Sequence, residues 1–341
     1  MQKNFYDPFS NNENINLYVD KETYLEKLKK ETIQKKQIIS IGFSLGFGII
    51  LCLIMQTFMT MLLKKFNMDD MYLENSVFFS AFNSLAISTL SIALPFGLIA
   101  IFNKKYFITP LIPTKKISFS KIFIYVNFGM FACIMINLFV GWIIILAEQL
   151  GYKLESPEGP QLNSVLACIM LVISTAIMPA ICEEFSMRCC AMGLLRKHGK
   201  AFAVFAVSLI FGLLHGNVIQ FIFAFLVGIV LAFVTIKTDN ILPAMLIHGL
   251  NNGRSVLYDI VEYASSTEIA DKVITGVTYF FIITGIICTI ILFLFKGFKL
   301  KKDNNPDDVL PFSKKVLYLM PGLALPLLLL IATTITTITK I

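Results

Sequence analysis

From Ile38 onward the chain alternates long apolar runs with short polar connections. Nine such runs can be marked, at about 38–63, 77–102, 122–147, 163–185, 201–217, 218–237, 241–258, 273–295 and 316–338. Most reach the roughly 20 residues that an α-helix needs to cross about 30 Å of hydrocarbon. Runs 201–217 and 241–258 are short, and only the Gly216-Asn217 turn separates the fifth run from the sixth. Residues 1–37 are polar. From Tyr18 to Lys36 they are rich in Lys and Glu with Leu25 and Leu28 at helical spacing, a pattern that suits an amphipathic helix beside the membrane. The expected architecture is all-α: a polytopic transmembrane helical bundle of about 8–9 helices over 38–341, preceded by a polar cytoplasmic extension over 1–37.

Composition supports a bilayer as the solvent. Of 341 residues, 56% are hydrophobic and 15% charged, where a soluble domain carries about 25% charged residues. The net charge of +7 sits in clusters that flank apolar runs, with no basic-aromatic groove pattern, so nucleic acid is set aside as a partner. Lys35 and Lys36, then Lys104, Lys105, Lys115, Lys116 and Lys121, then Arg196, Lys197 and Lys200, then Lys296, Lys299, Lys301 and Lys302 mark alternate connections. The intervening ones are acidic, with Asp69, Asp70 and Glu74, then Glu155 and Glu158, then Asp259, Glu262 and Glu268. Basic loops stay inside, so the expectation is a multi-pass cell-membrane protein with a cytoplasmic N-terminus and, with nine spans, an external C-terminus. No cleavable signal peptide is expected, because the first 37 residues are polar. The seven cysteines lie in or beside apolar runs without CxxC spacing, which reads as buried small hydrophobes. Only Cys182, Cys189 and Cys190 stand close enough to an acidic motif to be weighed as metal ligands.

Three places between residues 179 and 254 break the apolar pattern, and an ionisable group within a membrane helix is costly enough to ask for a reason. Pro179-Ala-Ile-Cys-Glu183-Glu184-Phe-Ser-Met-Arg188 sets Glu184 and Arg188 one helical turn apart, where they can pair. Glu183 is rotated about 100° from that face and lacks such a local partner, as a general base or a ligand would. Pro179 cannot donate to the carbonyl of Thr175, so a local deformation is expected there. Phe211-Gly-Leu-Leu-His215 ends one apolar run, and His248-Gly-Leu-Asn251-Asn252-Gly-Arg254 sets His248 and Asn252 on one helical face. His198, among Arg196, Lys197 and Lys200, reads as a solvated loop residue. Glu, two His and Asn from three separate helices form a sensible set for hydrolysis of a peptide bond by water, which needs a base and oxyanion donors, with or without a metal. There is no HExxH and no GxSxG.

The ordered motifs EExxxR (Glu183, Glu184, Arg188), FxxxH (Phe211, His215) and HxxxN (His248, Asn252) resemble those of the CAAX protease and bacteriocin-processing family, also called CPBP or Abi. Its best-known type is the Ras-converting CAAX endopeptidase. The stretch Lys237-Thr-Asp-Asn-Ile-Leu-Pro243 looks like that family's approach to its last motif, and the resemblance covers about 163–258. It implies an intramembrane endopeptidase acting on a membrane-associated or secreted peptide or protein. Glu183 would be the base, His215 would position water, and His248 and Asn252 would hold the oxyanion or a metal, with Glu184 and Arg188 in support. Zn2+ bound by Glu183, His215 and His248 stays open as a cofactor, and so does the oligomeric state. The rival reading is a catalytically silent relative working as a membrane immunity or scaffold protein. If run four ends at 185, Glu183 lies near the cytoplasmic end of its helix and His215 about 20 Å deep. A common site, expected to open towards the cytoplasm, would then require the fifth run to tilt or stop short.

Overall fold

A computed structural model describes residues 16–106, 112–154, 161–300 and 307–340. Residues 1–15 of the expected extension, Glu155 and Glu158, and Lys301 and Lys302 lie outside the described residues. Helix α1 (Asn16–Lys65) runs without interruption from the polar stretch through the first apolar run. The short α2 (Asp69–Glu74) leads into α3 (Ser76–Phe102), whose middle, Asn83–Ala93, is wound as π-helix. Then follow α4 (Phe119–Gln149), α5 (Val165–His198), α6 (Lys200–Leu213), α7 (Val218–Thr238), α8 (Leu242–Ala264), α9 (Thr267–Leu294) and α10 (Phe312–Ile335). Polar residues placed just before the apolar runs start five of these helices. The side chains of Asn75, Ser118, Ser164, Asn217 and Ser266 each accept from a backbone N–H three residues on, satisfying a donor the helix itself leaves orphaned.

Among the described residues seven helices are long and apolar enough to cross a membrane, with α6 as a shorter apolar helix. Helix α8 is long enough but carries the polar His248–Arg254 stretch. The molecule is an all-α bundle of a polytopic membrane protein with roughly eight to nine spans. Its exterior displays Phe47, Leu138, Ile283 and Leu328, side chains that acyl chains solvate and water would not. The last helix packs against the first through glycine. A Cβ on Gly46 would run into the carbonyl oxygen of Gly322, and one on Gly322 into the backbone of Gly42 and Phe43, so α1 and α10 approach backbone to backbone.

The two ends of the bundle differ. At the end with the Lys-rich loops, Asn240 bridges to the 112–118 strap by donating to the Lys115 carbonyl at 2.8 Å, and Arg196 pairs with Asp239 at 2.8 Å. Gln34 of α1 donates to Asp308 at 2.7 Å and accepts from the N–H groups of Val309 and Leu310. His198 belongs to this layer. It is buried, with Nδ1 3.5 Å from the Gln34 amide, and not the solvated loop residue expected, because α1 extends past the first apolar run and covers it. At the other end, Ser76 donates to Asn163 at 3.3 Å and β1 (Tyr152–Leu154) pairs antiparallel with β2 (Ile338–Lys340). The N–H of Val218 donates to Thr337 at 3.3 Å there. The Gly216 turn (φ +70°) between α6 and α7 therefore lies at the acidic-loop end.

Candidate active site

The fourth apolar run does not end at 185. Helix α5 continues to His198, and Ser186 through Leu195 are all buried. Glu183 thus sits near the middle of a long helix, about 22 Å from its basic end. The polarity of Arg188 suggested an end, but the guanidinium is paired inside the bundle and the helix carries on. Two π-helical stretches, Val172–Ile177 and Phe185–Ala191, flank the glutamates. Such wide turns shift side-chain directions relative to an α-helix. The first of them adjoins Pro179, which has no N–H for the Thr175 carbonyl. That oxygen is satisfied from outside: Asn252 Nδ2 of α8 donates to it at 3.0 Å.

The two glutamates face different surroundings. Glu184 Oε2 lies 3.1 Å from Arg188 Nε, and both side chains are completely buried. The two are close enough for an ion pair, although the angle does not make an aligned hydrogen bond. Glu184 Oε1 lies 2.9 Å from His248 Nδ1. The Arg188 terminal nitrogens have no hydrogen-bond acceptor among the described residues, and the guanidinium carbon sits 5.0 Å from the centroid of the Phe211 ring, in cation–π range. Phe211 also meets His215 and His248 edge-on, at 4.9 and 6.0 Å between centroids. The Phe of FxxxH therefore packs between the buried cation and both imidazoles.

Glu183 is turned the other way, partly exposed, with Oε2 3.9 Å from His248 Nε2. His248 thus spans the pair, one nitrogen towards each glutamate. His215 Nδ1 lies 2.8 Å from the Phe211 carbonyl. A carbonyl oxygen only accepts, so Nδ1 carries the proton, and in the neutral ring Nε2 is an acceptor. Glu183, His215, His248 and Asn252 all line one cavity of about 420 Å³. Its further walls include Phe79, Asn83, Ser174, Gln220 and Ser255, which lie in the helix halves nearest the acidic loops. Contrary to the expectation, the cavity does not open towards the basic end, because the extension of α5 beyond Glu183 is packed solid there.

Sequence reasoning passed over several polar residues of this site. Gln56 of α1 shares a smaller cavity of about 120 Å³ with Glu183 and His215, and Gln220, Asn251 and Asn83 line the main one. An amide in the middle of the run 38–63 was the available signal for Gln56. Asn251 is held in place, donating to Asn252 Oδ1 at 3.2 Å. Among the described residues no three His, Cys, Asp or Glu side chains gather as a metal site requires. One nitrogen of each imidazole is engaged, by Glu184 and by the Phe211 carbonyl, and the other nitrogen of each is left available. Cys189 and Cys190 are fully buried, and all seven cysteines are free thiols.

With that geometry in view, a family model described as type II CAAX prenyl endopeptidase Rce1-like matches residues 165–254. The stretch contains all three motifs, so the chain carries an Rce1-like domain of the CAAX protease type within its membrane bundle. No curated protein and no solved structure matches the chain.

Proposed function

We propose that the chain is an intramembrane endopeptidase that hydrolyses a peptide bond in a membrane-associated or secreted peptide or protein, with water activated by Glu183. The observation that carries this reading is the meeting in one cavity of Glu183 from α5, His215 from the turn that ends α6, and His248 and Asn252 from α8. Glu183 takes a proton from a water molecule whose other hydrogen is held by the lone pair of His215 Nε2. The water oxygen attacks the scissile carbonyl carbon. The oxyanion forms beside the second amide hydrogen of Asn252, the first being committed to Thr175, and beside His248 Nε2, which donates as the imidazolium held between the two glutamates. As the tetrahedral intermediate collapses, the C–N bond breaks and Glu183 returns its proton to the leaving amine. Glu184 and Arg188 act indirectly, Glu184 by orienting His248 and Arg188 by balancing the buried charge.

With the orientation that the loop charges favour, a cytoplasmic N-terminus, the cavity faces the outer side of the cell membrane and a substrate reaches it from there or from the bilayer. The deciding experiment is comparative terminal proteomics of membranes carrying the wild-type chain or Glu183→Gln. New peptide termini present only with the wild type are the expected result. Identical sets of termini from equally abundant proteins would return the molecule to a binding role.

A further inference from the structure

Glu183 and His215 have space on both sides. They line the main cavity, and together with Phe211 they also line a second, smaller one of about 120 Å³, so these three side chains form a partition. Apart from Gln56 of α1, the remaining walls of the small compartment are apolar, Ile87 and Met187 among them. Gln56 lies well inside a membrane-crossing helix, where an amide without a partner is costly. Its backbone carbonyl accepts from Thr60 Oγ1 at 3.0 Å, but among the described residues its side chain has no hydrogen-bond partner. It also stands outside residues 165–254, so the first helix supplies this wall from beyond the matched segment. A compartment of this size has room for about four waters at roughly 30 Å³ each. Apolar cavities stay dry, whereas a buried water is stable with about two to four polar partners. Gln56, Glu183 and His215 provide them here.

We infer that the small compartment stores the water used in hydrolysis and that Gln56 is a positioning residue for it. The inference deepens the endopeptidase reading and rests on it. A peptide filling the main cavity displaces water from that side, so the attacking molecule has to come from behind the partition. One water there gives its two hydrogens to Glu183 and to the free Nε2 of His215, and accepts a third from the Gln56 amide. Its remaining lone pair is then directed at the carbonyl carbon in the main cavity. As the oxygen bonds to that carbon, its proton passes to Glu183, and a water from the store takes the vacated place.

The first arm of the test needs no substrate. Brief X-ray irradiation of the full-length protein in detergent turns bound water into hydroxyl radicals, which oxidise the nearest methionine sulfur. Met187 lines the small compartment, while Met130 and Met192 are equally buried and line neither cavity. Met187 should therefore be oxidised faster than the other two. Gln56→Leu should slow its oxidation by about fivefold, the worth of one hydrogen bond to the stored water, and Gln56→Asn should slow it less. Because Gln56→Leu removes no protein partner, its melting temperature should not fall. Equal oxidation of the three methionines in the wild type, a comparison that holds even if a variant does not fold, would overturn the proposal. So would a Met187 rate that Gln56→Leu leaves unchanged. The second arm follows the peptide termini that depend on Glu183. On a substrate so identified, Gln56→Leu should lower kcat by about tenfold to a hundredfold with KM unchanged, as expected of a misplaced nucleophile. Wild-type turnover by Gln56→Leu would remove Gln56 from the reaction and leave the endopeptidase reading intact. Fast Met187 oxidation with no Glu183-dependent termini would sink that reading and leave a water-filled compartment.

Discussion

The two sides of helix α5 carry neighbouring glutamates in opposite circumstances. Glu184 is sealed, with Arg188 on one oxygen and His248 on the other, and no part of its side chain meets solvent. Glu183 looks across a cavity, with 3.9 Å to His248 as its closest charged contact. Identical side chains one residue apart are thus divided into a structural group and a chemically available one. Helical rotation of about 100° per residue starts the division, and what packs against each face completes it. A sealed carboxylate is valuable to the fold only while its partner is present. An open carboxylate contributes little to the fold and is free to exchange a proton.

The sharpest way to break this comparison is Glu183→Gln. Processing should fall by about 10²–10⁴, the usual contribution of a general base, while the melting temperature stays close to wild type. Full turnover by the purified variant would show that the open glutamate is not the base. Next in size, Glu184→Gln and Arg188→Met should each destabilise by roughly 3–5 kcal/mol, since each strands a buried charge, and the double change should cost less than the sum. Additive losses in a double-mutant cycle, measured by thermal or denaturant unfolding, would mean that the pair is not coupled. Asn252→Leu leaves the Thr175 carbonyl without its donor, and about 1–3 kcal/mol of stability should go with it. The loss should largely vanish when Pro179→Ala restores a backbone N–H to that turn, and its persistence would place the role of Asn252 elsewhere. Smallest, Phe211→Leu should cost about 1 kcal/mol through the lost cation–π contact, and less when Arg188 is already Met. An unchanged cost in the Arg188→Met background would separate the ring from the dry side of the comparison.

Much of the architecture is legible from the run lengths, because a span in lipid must satisfy its own backbone and so announces itself as about 20 apolar residues. The pairing of Glu184 with Arg188 is likewise readable from their i, i+4 spacing. What pattern reading missed are the places where polar residues lie inside a helix instead of at its end. Arg188 and His198 looked like the edge of the membrane, yet α5 runs on past the first to the second. Their polarity is answered by partners far away in sequence, the Phe211 ring and Gln34. Gln56 went unnoticed for the same reason, since its significance comes from the residues across the cavity.

The chain alone therefore determines the membrane class, the helical character, the alternation of basic and acidic connections and the order of the three motifs. These follow from local chemistry, namely apolar length, capping residues and the spacing of side chains on one helix. The tertiary structure decides the depth of Glu183, the carbonyl that occupies one amide hydrogen of Asn252 and the end of the bundle to which the cavity opens. Each of these depends on which distant helix supplies a neighbour, and hydrophobic periodicity, which reports only that a face is buried, carries no information about the partner that buries it.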